Sequence, residues 1–135
     1  MTTHIENVEG IGPIYGKLLR NIGIDTPAKL LAKGATPSGR QQLAKQTGIE
    51  QQRILKWINL CDLCRISGIS RRISELLEAA GVDTVKELRN RKAENLAATM
   101  REVNTKKKLV TQLPSEKNIA TWVAQAKNIP PMISY

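Results

Sequence analysis

Three groups of residues have the types and spacing from which chemistry could be built. The first is Gly10-Ile11-Gly12 followed by Lys17, with a partner at Gly68-Ile69-Ser70 followed by Arg71 and Arg72. Closely spaced glycines beside cations are the usual material of a phosphate cradle. The second is Cys61-x-x-Cys64, which has the spacing of half a metal site or of a redox pair. The third is the run Lys106-Lys107-Lys108, a candidate grip on a phosphate backbone and equally a solvated helix start.

Spacing and context prune these readings. A nucleotide P-loop needs four residues between its glycines and then Lys-Ser/Thr. Here five residues separate Gly10 from Gly16, three separate Gly12 from Gly16, and Lys17 is followed by Leu18. A dinucleotide fingerprint needs a buried strand before the first glycine, and residues 1–9 are too short and polar to supply one. Zinc would need two ligands beyond the cysteines, and His4 is the only histidine. Three residues apart on a helix, Cys61 and Cys64 lie beside Ile58, so both are expected as small buried apolar groups. No triad and no carboxylate cluster of ligand spacing emerges. The chain is expected to be no enzyme and to need no cofactor or metal.

The elements that must position the glycines are helices. The chain has 135 residues, 41% of them hydrophobic, with 3% aromatic and no Phe. Its interior must therefore be built from Leu, Ile, Val and Ala, a mixture that favours helices over strands. Pro13 stands at a helix start and Gly23 at its stop. Leu18, Leu19 and Ile22 form the apolar face between them. Thr26-Pro27 and Thr36-Pro37 open two more helices, the second closed by Gly48. Ile54 to Cys64 gives a wide apolar stripe carrying Trp57. Ser70 and Thr84 read as N-caps. Helical segments are expected near Leu96–Val103 and Lys106–Gln112, and Pro114-Ser115 opens a last helix through Trp122. Pro130-Pro131 stops it, leaving Asn128 to Tyr135 as an extended tail. That tail either docks a partner or packs back on the body.

The two halves also match. Gly10-Ile11-Gly12 recurs at a spacing of 58 residues as Gly68-Ile69-Ser70, and Gly23-Ile24-Asp25-Thr26 as Gly81-Val82-Asp83-Thr84. Ile54 and Trp57 recur 65 residues on as Ile119 and Trp122, which puts a seven-residue insertion around Arg101 to Leu113. The expected organisation is a first repeat over 1–60, a second over 61–127 and a tail over 128–135. Trp57 and Trp122, at matching positions among apolar neighbours, are expected to be core anchors rather than platforms for bases.

The pattern from Val8 to Leu19 resembles the helix-hairpin-helix motif, with Gly16 and its counterpart Ser74 keeping the helix approach close. The whole chain resembles a bacterial family of double helix-hairpin-helix proteins. The resemblance implies an all-α fold of duplicated hairpin units in one compact helical domain. It also implies that hairpin turns can offer backbone N–H groups to a phosphate. The first turn has the better backbone for this. The second has the better local charge, although Glu75 stands where the first repeat has Lys17.

Charge is compatible with a polyanionic partner. The formal net charge is +9, from 21 Lys and Arg against 12 Asp and Glu. Eight of those cations fall in residues 1–60 and thirteen in 61–135, so the excess is a surface property and not a tail. The expected function is non-specific nucleic-acid binding, duplex DNA favoured, through Gly10, Ile11, Gly12, Lys17, Gly68, Ile69, Ser70, Arg71, Arg72 and Lys106–Lys108. The rival is an interaction adaptor for an acidic protein, with a homodimer left open. No run approaches the ~18 apolar residues of a membrane span, and Met1–Glu6 lacks the features of a signal peptide. A cytoplasmic chain with reduced cysteines is expected.

Overall fold

The computed structural model of the protein describes residues 4–135. Every regular element among them is helical. A 3-10 turn at Ile5–Asn7 precedes α1 (Gly12–Arg20), α2 (Pro27–Gly34), α3 (Pro37–Thr47) and α4 (Gln51–Leu63). Then follow α5 (Arg71–Ala79), α6 (Val85–Leu88), α7 (Ala93–Lys107) and α8 (Glu116–Asn128).

Local side-chain chemistry decides where these helices begin. Thr26, Thr36, Ser70, Thr84 and Ser115 sit in extended backbone, and each hydroxyl accepts a bond from the amide three residues on, at 3.1 to 3.4 Å. Each such cap stabilises its helix by about 1 kcal/mol. Pro27 and Pro37 occupy the first helical position, where a missing N–H costs nothing. Gly48 ends α3 in the left-handed region, its N–H bonded to Ala44 O at 2.8 Å.

Two compact units result, Met1–Asp62 with Met132–Tyr135, and Leu63–Pro131. Each has its own core. In the first, α2 packs on α3, and Leu19, Leu30, Ile54 and Trp57 are buried. In the second, α7 lies against α5 and α8, and α6 against α8. Leu76, Leu77, Leu96, Met100 and Ile119 are fully enclosed there. Burying each such side chain contributes about 1.5–3 kcal/mol before entropy is counted.

Three details depart from expectation. Leu18 is not part of the buried face of α1. It is 36% exposed while Leu19 is fully enclosed, so the buried stripe runs through Gly16, Leu19 and the half-buried Tyr15 and Ile22. Cys64 lies just past the end of α4. The segment Lys106–Gln112 is not a helix of its own: α7 runs unbroken from Ala93 to Lys107, and Lys108 turns the chain with φ of 51°. The reason is Asn104. Its side chain donates to Val110 O and accepts from Val110 N–H, both at 3.0 Å, closing the helix end over a loop.

Candidate nucleic-acid interface

The glycine turns are built by backbone conformations that side chains disfavour. Gly10 has φ of +89°, Gly12 +62° and Gly68 +97°. Beneath each turn lies a tryptophan. A Cβ on Gly10 would stand 3.2 Å from Trp57 Nε1, and one on Gly68 would stand 2.8 Å from Trp122 Nε1. Trp57 and Trp122 are 1% and 5% exposed. Both indoles are floors under the turns, and neither presents a face to a base.

The amides of the turns divide into used and unused. Ile11 N–H donates to Val8 O at 3.1 Å, and Ile69 N–H to Ile66 O at 3.2 Å. Both isoleucine side chains are buried. Ile11 and Ile69 therefore shape the turns, and neither has a side chain or an N–H to spare for a phosphate.

Around α1 the helix start is open. Its N-cap is Ile11, which has no side-chain oxygen, and no side-chain cap bonds the first turn. Helix geometry leaves the first amides of any helix without internal acceptors. Pro13 removes one of them, leaving those of Gly12 and Ile14. No acidic residue occupies this first turn. Lys17 is exposed on the same helix. Arg20 is committed elsewhere: its guanidinium holds Glu6 through bonds of 2.6 and 2.8 Å. That contact keeps the Glu6 carboxyl ionised, lowering its pKa to about 2. The Glu6 side chain crosses directly over Gly16, where a Cβ would meet Glu6 Cγ at 2.6 Å. Gly16 is thus small to admit Glu6.

The second turn is closed by the protein's own side chains. Ser70 Oγ takes the Ile73 N–H at 3.4 Å. Gln125 brackets Ser67, accepting from its N–H at 3.1 Å and donating to its carbonyl at 3.3 Å. Arg71 and Arg72 are exposed, and Arg72 Nη1 lies 3.9 Å from Glu75 Oε2. Ser74 is buried and donates to Arg71 O at 2.7 Å.

The three lysines lie at the end of α7. Lys106 and Lys107 form the last turn of α7 and Lys108 its C-cap, all exposed. Cations there complement the negative end of the helix dipole, a structural use that needs no ligand.

Cys61 is buried and Cys64 half-buried, and burial pushes the Cys64 thiol pKa up, away from reactive thiolate. Among the described residues no group of three His, Cys, Asp or Glu side chains is placed to hold a metal ion. None of the helices there is long and apolar enough to cross a membrane. A groove of about 710 Å³ opens between the start of α7 and α8, with Arg91, Lys92 and Lys127 on its rim and Val123 on its floor. Sequence spacing gave no sign of it, because its walls come from residues thirty positions apart.

The family described as Domain of unknown function (DUF4332) matches residues 9–129. No curated protein and no solved structure matches the chain.

Proposed function

We propose that this chain, which belongs to the DUF4332 family, is a non-enzymatic module of duplicated helix-hairpin-helix units that binds nucleic acid through phosphate contacts. The observation that carries the reading is the uncapped first turn of α1, entered through Gly10 and Gly12 with Lys17 close behind. Unfilled amides at the positive end of a helix favour an anion, and no acidic residue lies in that first turn. The net charge of +9 supplies long-range attraction. Arg71 and Arg72 are secondary contacts, since the amides around them are partly used. The matching placement of Trp57 under Gly10 and Trp122 under Gly68 supports the duplicated reading.

The test is fluorescence anisotropy with a labelled DNA duplex at about 20 and 200 mM salt. With about three phosphates neutralised, a tenfold rise in salt weakens binding by roughly 500-fold, and Lys17→Glu lowers the log–log slope by about one. Gly12→Asp places a carboxylate at the open turn and abolishes binding while circular dichroism stays helical. Absence of binding by the folded wild type at the lower salt refutes the proposal.

A second reading, an adaptor for an acidic protein partner, is favoured by one specific feature. Ile14 is 77% exposed and Leu18 36% exposed, one helical turn apart on α1. Apolar side chains beside an anion site suit a protein surface better than a solvated backbone. A pull-down from nuclease-treated lysate separates the two. Partners that persist without nucleic acid and are lost with Ile14→Glu select the adaptor.

A further inference from the structure

The last three residues lie along the first unit, Ile133 half-buried and Ser134 and Tyr135 exposed but hydrogen-bonded to it. Ser134 is read through its main chain on both sides: its N–H donates to Ala35 O at 2.8 Å, and its carbonyl accepts from Arg40 Nη2 at 2.7 Å. Ser134 Oγ also donates to Ala35 O at 3.3 Å. On one side of it Ile133 packs half-buried against the first core. On the other, the Tyr135 hydroxyl donates to Asn59 Oδ1 at 3.0 Å, and the Arg40 guanidinium lies 5.8 Å from the Tyr135 ring centre.

The groups that hold Ser134 come from the end of α2 and from α3. Gly34 and Ala35 end α2, where helix geometry leaves carbonyls without internal donors. Arg40 is only 6% exposed, and its other terminal nitrogen already donates to Gly34 O at 2.7 Å. The guanidinium is therefore fixed, and its second nitrogen points where Ser134 O sits. With the tail docked, Ser134 O meets a guanidinium N–H that its burial would otherwise leave unmet, which is costly. A paired N–H and C=O flanked by side-chain contacts is the way extended peptides are read by strand-like addition.

The geometry points to a peptide-recognition site on the first unit, with this chain's own residues 132–135 as resident ligand. It is open to extended peptides of the pattern apolar–small polar–aromatic that compete in trans. This rests on neither glycine turn and stands or falls separately from nucleic-acid binding.

The experiment uses the full chain and a capped peptide of residues 131–135, acetylated and amidated, followed by amide NMR. Ser134→Pro deletes the N–H that bonds Ala35 and so releases the tail without touching the helices. In that variant the peptide shifts Ala35, Arg40 and Asn59 saturably, and a peptide carrying the same proline does not. The wild type binds the peptide more weakly, because a tethered tail competes for the same groups. The inference is overturned if the Ser134 amide of the wild type exchanges at the open-chain rate, or if the tail stays docked in Ser134→Pro. It is equally overturned if the released site shows no saturable shift at several-millimolar peptide.

Discussion

Alanine at Gly12, Gly10 and Gly68 separates the two reasons a turn needs glycine. At Gly12 the reason is backbone alone: φ is +62°, and nothing stands within 4 Å of an added Cβ. A left-handed L-residue costs about 1–2 kcal/mol, offset by about 0.4–1 kcal/mol because alanine stiffens the unfolded chain. The net loss is about 0.5–1 kcal/mol. At Gly68 the backbone lies further out, at +97°, and the new methyl would sit 2.8 Å from Trp122 Nε1. That indole is 5% exposed and has nowhere to retreat. Overpacking of this sort adds about 1–3 kcal/mol, so Gly68→Ala loses about 2–4 kcal/mol. Gly10, at +89° with Trp57 Nε1 3.2 Å away, falls between. Urea unfolding followed by ¹⁹F NMR of 5-fluorotryptophan measures this directly, since each unit contains one indole. The expected order of loss is Gly12, Gly10, Gly68, with the Trp122 resonance moving only in Gly68→Ala. Equal losses at Gly12 and Gly68, or an unmoved Trp122 resonance, would refute the claim that the tryptophans support the turns.

Other predictions concern the frame around the turns. Glu6, normally near 4.5, titrates at about 2 because Arg20 bonds its ionised form. A lowered folded pKa gives stability that is complete above about pH 4.5 and is lost as pH falls towards 2. Glu6→Gln should flatten acid unfolding in that window, and an unchanged acid profile would contradict the contact. Thr84→Ala removes a buried hydroxyl that caps α6 at 3.3 Å, and thermal melts should show a loss of about 1 kcal/mol. Asn104→Ala deletes both 3.0 Å bonds to Val110. It should cost about 1–3 kcal/mol and speed exchange of the Val110 amide, whereas unchanged exchange would show the clamp to be idle.

The parts of this fold legible in the sequence are those decided by neighbours in the chain. Thr26, Thr36, Ser70, Thr84 and Ser115 cap helices because the bond spans three residues. Gly48 stops α3 because only local backbone strain is at stake. What was not legible depends on side chains that act across the chain. Gln125 holds Ser67 over 58 positions, Arg40 holds Ser134 over 94, and Arg89 caps the end of α8 through Ala126 O and Ile129 O. No periodicity announces such residues, and each reads as an ordinary surface group. The end of α7 failed for the same reason, since Asn104 finds its acceptor six residues away in a loop.

The candidate site repeats this division between backbone and partners. Glycine spacing located both turns, but spacing could not say which amides are already occupied. Charge read along the sequence favoured the second turn, through Arg71 and Arg72. In three dimensions that advantage shrinks, because α5 also carries Glu75 and Glu78, and Arg72 faces Glu75. Helix α1 bears Lys17 and Arg20 with no acid of its own, and Glu6, whose carboxylate reaches it, is taken up by Arg20. An anion approaching α1 therefore meets an uncapped helix start and an exposed lysine. One approaching α5 must displace Ser70 from the Ile73 amide. Two turns of similar backbone differ in readiness for an anion because of what lies beside them, and the first is the one to mutate first.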